Sequence, residues 1–401
     1  MRFAVAVVFA SAAYAQVYPN NLPTRHPAIE YATRPLSDPV ALLAEKLERG
    51  KTNLEFREGG LGYLPSLLER LGVNPDSQAL VFSKTSFQAG KISPRNPRAI
   101  YFGDDVAVGW VRGGTGFELA ALDPKQGVIF YTMDIQKAEQ PRLLRSDACL
   151  RCHIGPATLG VPGVFIGSVY PDASGAPQSA GAIITDHRTP FADRWGGWYV
   201  NATRGEQPDR ANALALDPAE PQVLQPLLRR FDPAGYLTPT SDIVALMTFE
   251  HQTQMTNLMT RLGWEARIAQ HDRKRFDDDV EGIVDYMLFA DEAPLSEPVE
   301  GVSTFTKTFP ERGPRDKKGR SLRDFDLQKR LFRYPLSYMI YSAAFDGMPD
   351  SVRERIYGRL YEVLSGKDQS RKFTGLSSED RRAILEIVRD TKVNLPAYWR
   401  R

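Results

Sequence analysis

The stretch that decides the fold is Ala99–Met133, AIYFGDDVAVGWVRGGTGFELAALDPKQGVIFYTM. It contains four short apolar or alternating runs, Ala99–Phe102, Val106–Val111, Phe117–Leu122 and Gly127–Met133, punctuated by Gly103-Asp104-Asp105, Gly113-Gly114-Thr115-Gly116 and Asp123-Pro124. Runs this short between turn-forming residues predict strands, and tight connections between them predict an antiparallel meander. Two further strand-like runs follow at Val164–Tyr170 and Ala180–Thr185. Beyond about Pro233 the apolar period changes to that of helices, predicted over Ser241–Leu262, Val280–Ala290, Leu327–Phe345, Val352–Leu364 and Ser378–Arg389. Thr240-Ser241-Asp242 supplies a cap and Gly263 a stop for the first of these. Pro349-Asp350-Ser351 and Ser377-Ser378-Glu379-Asp380 open the last two. The expected class is α+β, an antiparallel strand-rich region followed by a mainly helical C-terminal region. A length of 401 residues suggests two domains, 16–235 and 236–401.

Outward from the last strand of the meander lies RSDACLRCHIGPATLGVPGV, Arg145–Val164, which holds both cysteines of the chain two residues apart with a histidine directly after the second. A disulfide between Cys149 and Cys152 would close almost no chain and add little by loop entropy. A dithiol redox pair prefers a helix start after a strand and a lowered thiol pKa. A zinc site needs two more nitrogen or sulfur ligands at suitable spacing, and there is no second cysteine pair. The remaining reading is covalent haem attachment, for which Cys-x-x-Cys-His is the sequence signal. The two thiols would add to the haem vinyl groups, and His153 would take the iron.

Haem is attached to such motifs outside the cytoplasm, and the N-terminus agrees with that. MRFAVAVVFASAAYAQ has one early charge at Arg2, an apolar run from Phe3, and Ala13-Tyr14-Ala15 at the positions a signal peptidase reads. A signal peptide over residues 1–15, cut after Ala15, and a periplasmic or otherwise exported mature chain are therefore expected. No other apolar run approaches the ~20 residues that cross a bilayer, so no transmembrane segment is expected after cleavage. At 42% hydrophobic, 25% charged and a net charge of +2, the chain is neither disordered nor a strongly basic nucleic-acid binder.

A haem iron held by His153 has a sixth position, and its occupant largely decides function. The other histidines are His26, His187, His251 and His271. Met247, His251, Met255, Leu258 and Leu262 recur at spacings of three and four and share one helical face. That stripe makes His251 the candidate sixth ligand, with Met255 as the alternative. His187, between Asp186 and Arg188, reads as closing a turn, and His26 and His271 read as solvent-exposed. In FADRWGGWYVNATRG, Phe191–Gly205, Trp195 and Trp198 flank a glycine pair that would let backbone approach a flat ring. Arg194, with Arg188 and Arg204, would suit propionate carboxylates. Arg312–Arg333 is dense in basic residues and reads first as a solvated loop, with steering of an acidic electron partner as the alternative.

Cys149-Leu150-Arg151-Cys152-His153 is the attachment motif of c-type cytochromes. The wider pattern, with LGVPGV, SVYPDASG, TDHRTPFADRWGGWYV, LMTFEHQT and DTKVNLPAYW, resembles exported bacterial monohaem proteins that carry a cytochrome c motif. That resemblance implies one covalent haem c on Cys149 and Cys152 with His153 as axial ligand. Ser93–Ala99 and the strands that follow also resemble haem-bearing sensor domains with a PAS-like sheet. The expected function is electron transfer with a redox partner protein, through a six-coordinate iron. The alternatives are a haem-dependent oxidoreductase acting on peroxide or a nitrogen oxide, with His251 together with Glu250 or Arg194 moving protons, and a haem-based sensor or binding module.

Overall fold

The runs that alternate in sequence pair as strands. The computed structural model describes residues 20–203, 205–228, 231–276 and 280–400; the expected signal segment 1–15 and Arg204 lie outside the described residues. The main strands are β1 (Ala79–Val81), β2 (Arg98–Phe102), β3 (Val106–Val111), β4 (Gly116–Asp123), β5 (Gly127–Asp134) and β6 (Leu144–Arg145). A hairpin of β7 (Ile166–Pro171) and β8 (Pro177–Thr185) follows, then β9 (Trp198–Tyr199), β10 (Ala213–Ala215) and β11 (Leu224–Pro226). Seven of these form one antiparallel sheet in the order β6-β5-β4-β3-β2-β1-β9, the predicted meander extended at both edges. The hairpins β7–β8 and β10–β11 are separate two-stranded sheets.

Because successive side chains on a strand point to opposite faces, the register divides the sheet into two unlike surfaces. One face carries Leu80, Tyr101, Val108, Trp110, Leu119, Ile129 and Tyr131, all fully or nearly fully buried. It is covered by α1 (Pro39–Glu48) and α2 (Leu64–Arg70) through Val40, Leu43, Leu64 and Leu67. Tyr131 donates its hydroxyl to Asp38, the N-cap of α1, at 2.6 Å. The other face presents Arg98, Ile100, Ala107, Gly109, Glu118, Ala120, Phe130 and Thr132. Most of these are small or half-exposed.

The C-terminal region is helical, as expected: α4 (Ile243–His271), α5 (Glu281–Met287), α6 (Phe305–Glu311), α7 (Ala343–Asp346), α8 (Asp350–Leu364) and α9 (Ser378–Thr391). The short α3 (Leu150–His153) carries the cysteine motif. Two expectations are corrected. Gly263 does not stop α4, which runs on to His271, because a helical glycine costs only about 1 kcal/mol and Trp264 and Ala266 keep burying apolar surface beyond it. Leu327–Phe345 is not one helix: Leu327 has a φ of 58°, Pro335 supplies no backbone donor, and a bridge pairs Phe325 with Phe332. Its apolar periodicity is that of loop residues packed into the core, with α7 only at its end.

Helix α4 joins the halves of the chain. Asp242 caps it, its Oδ1 accepting from Val244 N at 2.8 Å and Ala245 N at 3.3 Å. The helix then crosses the end of the sheet where two hairpin turns lie. Gln252 donates to Gly103 O at 2.7 Å in the β2–β3 turn, and Arg267 donates to Lys125 O at 2.9 Å in the β4–β5 turn. Phe249 stacks on Phe102 with ring centroids 4.5 Å apart. One apolar cluster thus contains sheet residues Ala79, Phe102 and Phe130 together with α4, α5 and α8. Among the described residues, no helix is long and apolar enough to cross a membrane.

Candidate functional site

The cysteine motif sits where the meander ends, at the margin of the half-exposed sheet face. After β6 the chain stays tied to β5 through Ser146 N to Phe130 O at 2.8 Å, then turns into α3. Cys149 is buried, Cys152 is exposed, and both are free thiols. Burial raises the Cys149 pKa, which disfavours the thiolate that a dithiol redox pair needs.

His153 packs against Phe130 and Phe165, with ring centroids at 4.8 and 5.5 Å. Burial lowers its pKa, so the imidazole is neutral near neutral pH. Its Nδ1 lies 2.9 Å from Gly163 O. A carbonyl oxygen only accepts, so the proton sits on Nδ1 and the Nε2 lone pair is left for a ligand. This is how metal-binding histidines are oriented by their surroundings. The loop that brings Gly163 back is pinned to α4: Asn257 donates to Val164 O at 2.8 Å and accepts from Val164 N at 3.2 Å. Arg261 adds a bond to Leu159 O at 2.8 Å.

Small side chains extend from His153 across the sheet. Ile100 pairs with Gly109, Ala107 with Ala120, Gly109 with Glu118 and Ala120 with Phe130. The far side is bounded by the β7–β8 hairpin, which Trp198 holds by donating its indole N–H to Gly167 O at 2.8 Å. Exposed apolar residues lie at the margins: Leu144, paired with Thr132; Ile184, paired with Gly167; and Phe87, beside Ser86, which bonds Glu118. Two thiols and an oriented imidazole beside small side chains are the groups a planar macrocycle bearing two vinyl groups would need. On the same face Arg98 and Glu118 form an ion pair at 2.7 Å, close enough to act electrostatically on both Cys149 and His153.

Of the residues expected at the haem, Cys149, Cys152 and His153 stand together beside β5 and β6, while Trp198 is buried on β9 at the opposite edge of the sheet. The others lie elsewhere. His251 is fully buried, with Nδ1 at 2.8 Å from His187 Nδ1 and Nε2 at 2.8 Å from Ser337 Oγ. It is parallel to Tyr286 and stacks on Phe289, and it shares no ring neighbour or hydrogen-bond partner with His153. Burial holds its pKa down at about 3. Met255, one turn along the same stripe, is also fully buried. The stripe faces the helical layer, while Glu250, Asn257 and Arg261 form the stripe that faces the motif loop and β8.

Arg194 is 2% exposed and its donors are used internally: Nε to Thr189 O at 2.7 Å, Nη2 to His187 O at 2.8 Å and Nη1 to Glu250 at 3.2 Å. Trp195 is buried with a φ of 67°. The glycines after it admit protein backbone, not a ligand ring: a Cβ at Gly196 would collide with Val169 O, and Gly197 O accepts from Phe82 N at 2.8 Å. Glu250 takes a 2.6 Å bond from Thr185, and burial raises its pKa to about 7 although Arg194 opposes the shift. His187 is more than a turn residue, for it is buried against His251 and Tyr286. Arg188 pairs with its neighbour Asp186 at 2.6 Å.

The basic stretch Arg312–Arg333 is not an open cationic patch. Arg323 pairs with Asp104, Lys317 with Asp390, Lys318 and Arg320 with Glu386, and Arg330 and Arg333 with Asp380. His26 and His271 meet across Asp272, at 3.2 and 3.0 Å. Ala28 N donates to His26 Nδ1 at 3.1 Å, which places the His26 proton on Nε2, toward Asp272. A cavity of about 180 Å³ among Leu288, Glu292, Lys329, Lys372 and Phe373 lies in the helical region, away from the motif.

The sequence alone does not single out Arg98, Glu118, Phe130, Phe165, Gly163 or Asn257. A usable signal was present for the sheet face: in VAVGWV, Val106, Val108 and Trp110 alternate with Ala107 and Gly109, marking one crowded face and one thin one. Comparison of the chain with protein-family models, curated proteins and solved structures finds no match in any of the three.

Proposed function

We propose that the chain is an exported monohaem c-type cytochrome that works in one-electron transfer with a redox partner protein. Cys149 and Cys152 would carry the haem through thioether bonds, and His153 Nε2 would be the axial ligand. The observation that carries this reading is the Nδ1–H of His153 held by Gly163 O on an apolar sheet face, one residue after the paired thiols. Bound there, haem supplies a one-electron couple at its iron. The chain's own residues fix the imidazole tautomer, keep water from one side of the ring through Phe130 and Phe165, and hold the loop rigid through Asn257. Residues 1–15 support export.

A second reading is favoured by one specific observation: His251 is committed to His187 and Ser337, away from His153. A sixth position left to water or an exogenous ligand would suit an enzyme acting on a small oxidant, or a sensor. Expression in a host that assembles c-type haem, followed by intact mass and absorption spectra, tests the core of the proposal. The expected result is the mass of one haem added to the mature chain, lost in Cys149→Ala/Cys152→Ala. A colourless protein with the mass of its polypeptide alone overturns it. EPR then separates low-spin six-coordinate iron, which favours electron transfer, from high-spin iron, which favours the second reading.

A further inference from the structure

We infer that His26, His271 and Asp272 form a binding site for a divalent cation of the Zn2+ class, a clamp between the N-terminal segment and the end of α4. The site stands apart from the proposed haem, since its ligands belong neither to the cysteine motif nor to the sheet. His26 lies in the turns that precede α1, and His271 and Asp272 are the last residue and the C-cap of α4. Both sides are anchored on the β4–β5 turn. Gln126 donates to Ile29 O at 3.1 Å on the first side, and Arg267, one helical turn before His271, donates to Lys125 O at 2.9 Å on the second. A site held on two fixed supports is preorganised. His26 Nε2 lies 3.2 Å and His271 Nδ1 3.0 Å from Asp272 Oδ1, and the three ligand atoms all fall within 4.8 Å of one another. The two rings meet edge to face with centroids 5.0 Å apart.

A tetrahedral zinc ion with bonds of about 2.0–2.1 Å sets its ligand atoms about 3.3 Å apart, so both nitrogen–oxygen spacings are already close to those of a bound ion. Lys274 holds the other carboxylate oxygen, Oδ2, at 3.1 Å, which leaves Oδ1 for the metal. The side chains are reachable, at 17% exposed for His26, 25% for Asp272 and 48% for His271, so an ion can enter and water can fill the fourth position. The fold also supplies a reason for a cation here. A carboxylate at a helix C-terminus opposes the helix dipole, and positive charge at that end relieves it. Two imidazole nitrogens with one carboxylate oxygen select a borderline ion such as Zn2+ over Mg2+ or Ca2+, which take oxygen ligands. Binding needs both imidazole lone pairs turned toward the ion. His271 is half exposed and can carry its proton on Nε2. His26 must carry its proton on Nδ1, so Ala28 N–H gives up its 3.1 Å bond to that atom and turns to water. One hydrogen bond at a half-buried position is a small loss beside three metal bonds.

The experiment is a calorimetric titration of Zn2+ into the metal-stripped full chain, as wild type, His26→Ala, His271→Ala and Asp272→Asn. Wild type is expected to take up one Zn2+ at this site, with affinity lowered at least about 10–100-fold in each variant, the loss that even outer partners of a metal cause. Zn2+ should raise the thermal midpoint of wild type in a concentration-dependent way and leave the midpoints of the variants in place, and Mg2+ should do neither. Amide exchange in residues 24–31 should slow on Zn2+ addition in wild type alone, which reads the clamp directly. Absence of Zn2+ binding overturns the inference. So does Zn2+ held with equal affinity by wild type and all three variants, since an ion bound at the thiols would survive these substitutions. Should His26→Ala fail to fold, His271→Ala decides alone, because His271 is half exposed; an unchanged affinity there is a refutation.

Discussion

Gly163→Ala tests whether the loop carrying the acceptor for His153 is as tightly fitted as the geometry requires. Gly163 does not need glycine for its backbone, since its φ lies outside the left-handed range. The constraint is steric. A Cβ there would overlap the Asn257 amide oxygen and come within 3.0 Å of Thr158 Cβ. To make room, the Asn257 amide must swing off Val164, giving up bonds of 2.8 and 3.2 Å and leaving a backbone N–H and C=O without partners. At about 1–3 kcal/mol for each orphaned group, the cost is about 2–6 kcal/mol. Asn257→Ala breaks the same two bonds and should cost a similar amount. In Gly163→Ala/Asn257→Ala the new methyl occupies the space the amide vacated, so the double variant should cost about what Asn257→Ala costs alone. The coupling is then about 2–6 kcal/mol, far outside the additivity expected of independent sites. Urea unfolding of the four proteins measures it. The displaced loop also loosens the bond that holds Nδ1–H, so Gly163→Ala should alter the haem absorption bands. Strict additivity, or a Gly163→Ala protein as stable as wild type, would refute the account of this loop.

Three further outcomes are expected. His251→Ala should lower stability by about 3 kcal/mol through loss of a fully buried ring yet leave the haem spectrum unchanged; a spectrum that collapses would return His251 to the iron. Glu250 has a folded pKa raised to about 7, above its unfolded value, so the folded state holds a proton that the unfolded state releases first. Stability conferred by protonated Glu250 is therefore lost as pH rises from about 4.5 to about 7. The stability difference between Glu250→Gln and wild type should grow in favour of the variant across that window, by up to ~1.4 kcal/mol per pH unit, and a difference independent of pH would refute the assignment. Asp242→Ala removes a helix cap and also the acceptor of Val302 N at 2.7 Å and Ser303 N at 2.8 Å. It should destabilise by about 3–5 kcal/mol in thermal or urea unfolding, with Asp242→Asn retaining part of that.

The parts of the fold that were legible in sequence are those set by local chemistry. Strands β2 to β5 follow from alternation and turn residues within a few positions of each other, and Asp242 and Ser377 are caps that act on the next three residues. The cysteine motif is legible for the same reason. What failed was choosing neighbours from periodicity. A spacing of three and four identifies Met247, His251 and Met255 as one stripe, but it does not say that the stripe turns to Tyr286 and Ser337 while Asn257 turns to the motif. The ion pairs of the basic run at Arg312–Arg333 were not legible either, since its carboxylates Asp104, Asp380, Glu386 and Asp390 are far away in sequence.

The two faces of the sheet bear on why the motif stands where it does. A sheet needs a covering layer on each apolar face. Helices α1 and α2 supply one for the face bearing Tyr101, Trp110 and Tyr131. On the opposite face, α4 packs at the end marked by Phe102 and the two hairpin turns. Ile100, Ala107 and Ala120 on this face are partly buried against the main apolar cluster, and their small side chains keep the layer above them thin. The chain continues from β6 straight to Cys149 at the border of this face, and the loop after His153 is tied to α4. A covalently tethered apolar disc placed here would complete the second layer that the polypeptide leaves thin. On that argument the proposed haem is a structural element as well as a redox group, and the Cys149→Ala/Cys152→Ala protein should be less stable than the loaded one by more than the loss of the buried Cys149 side chain accounts for.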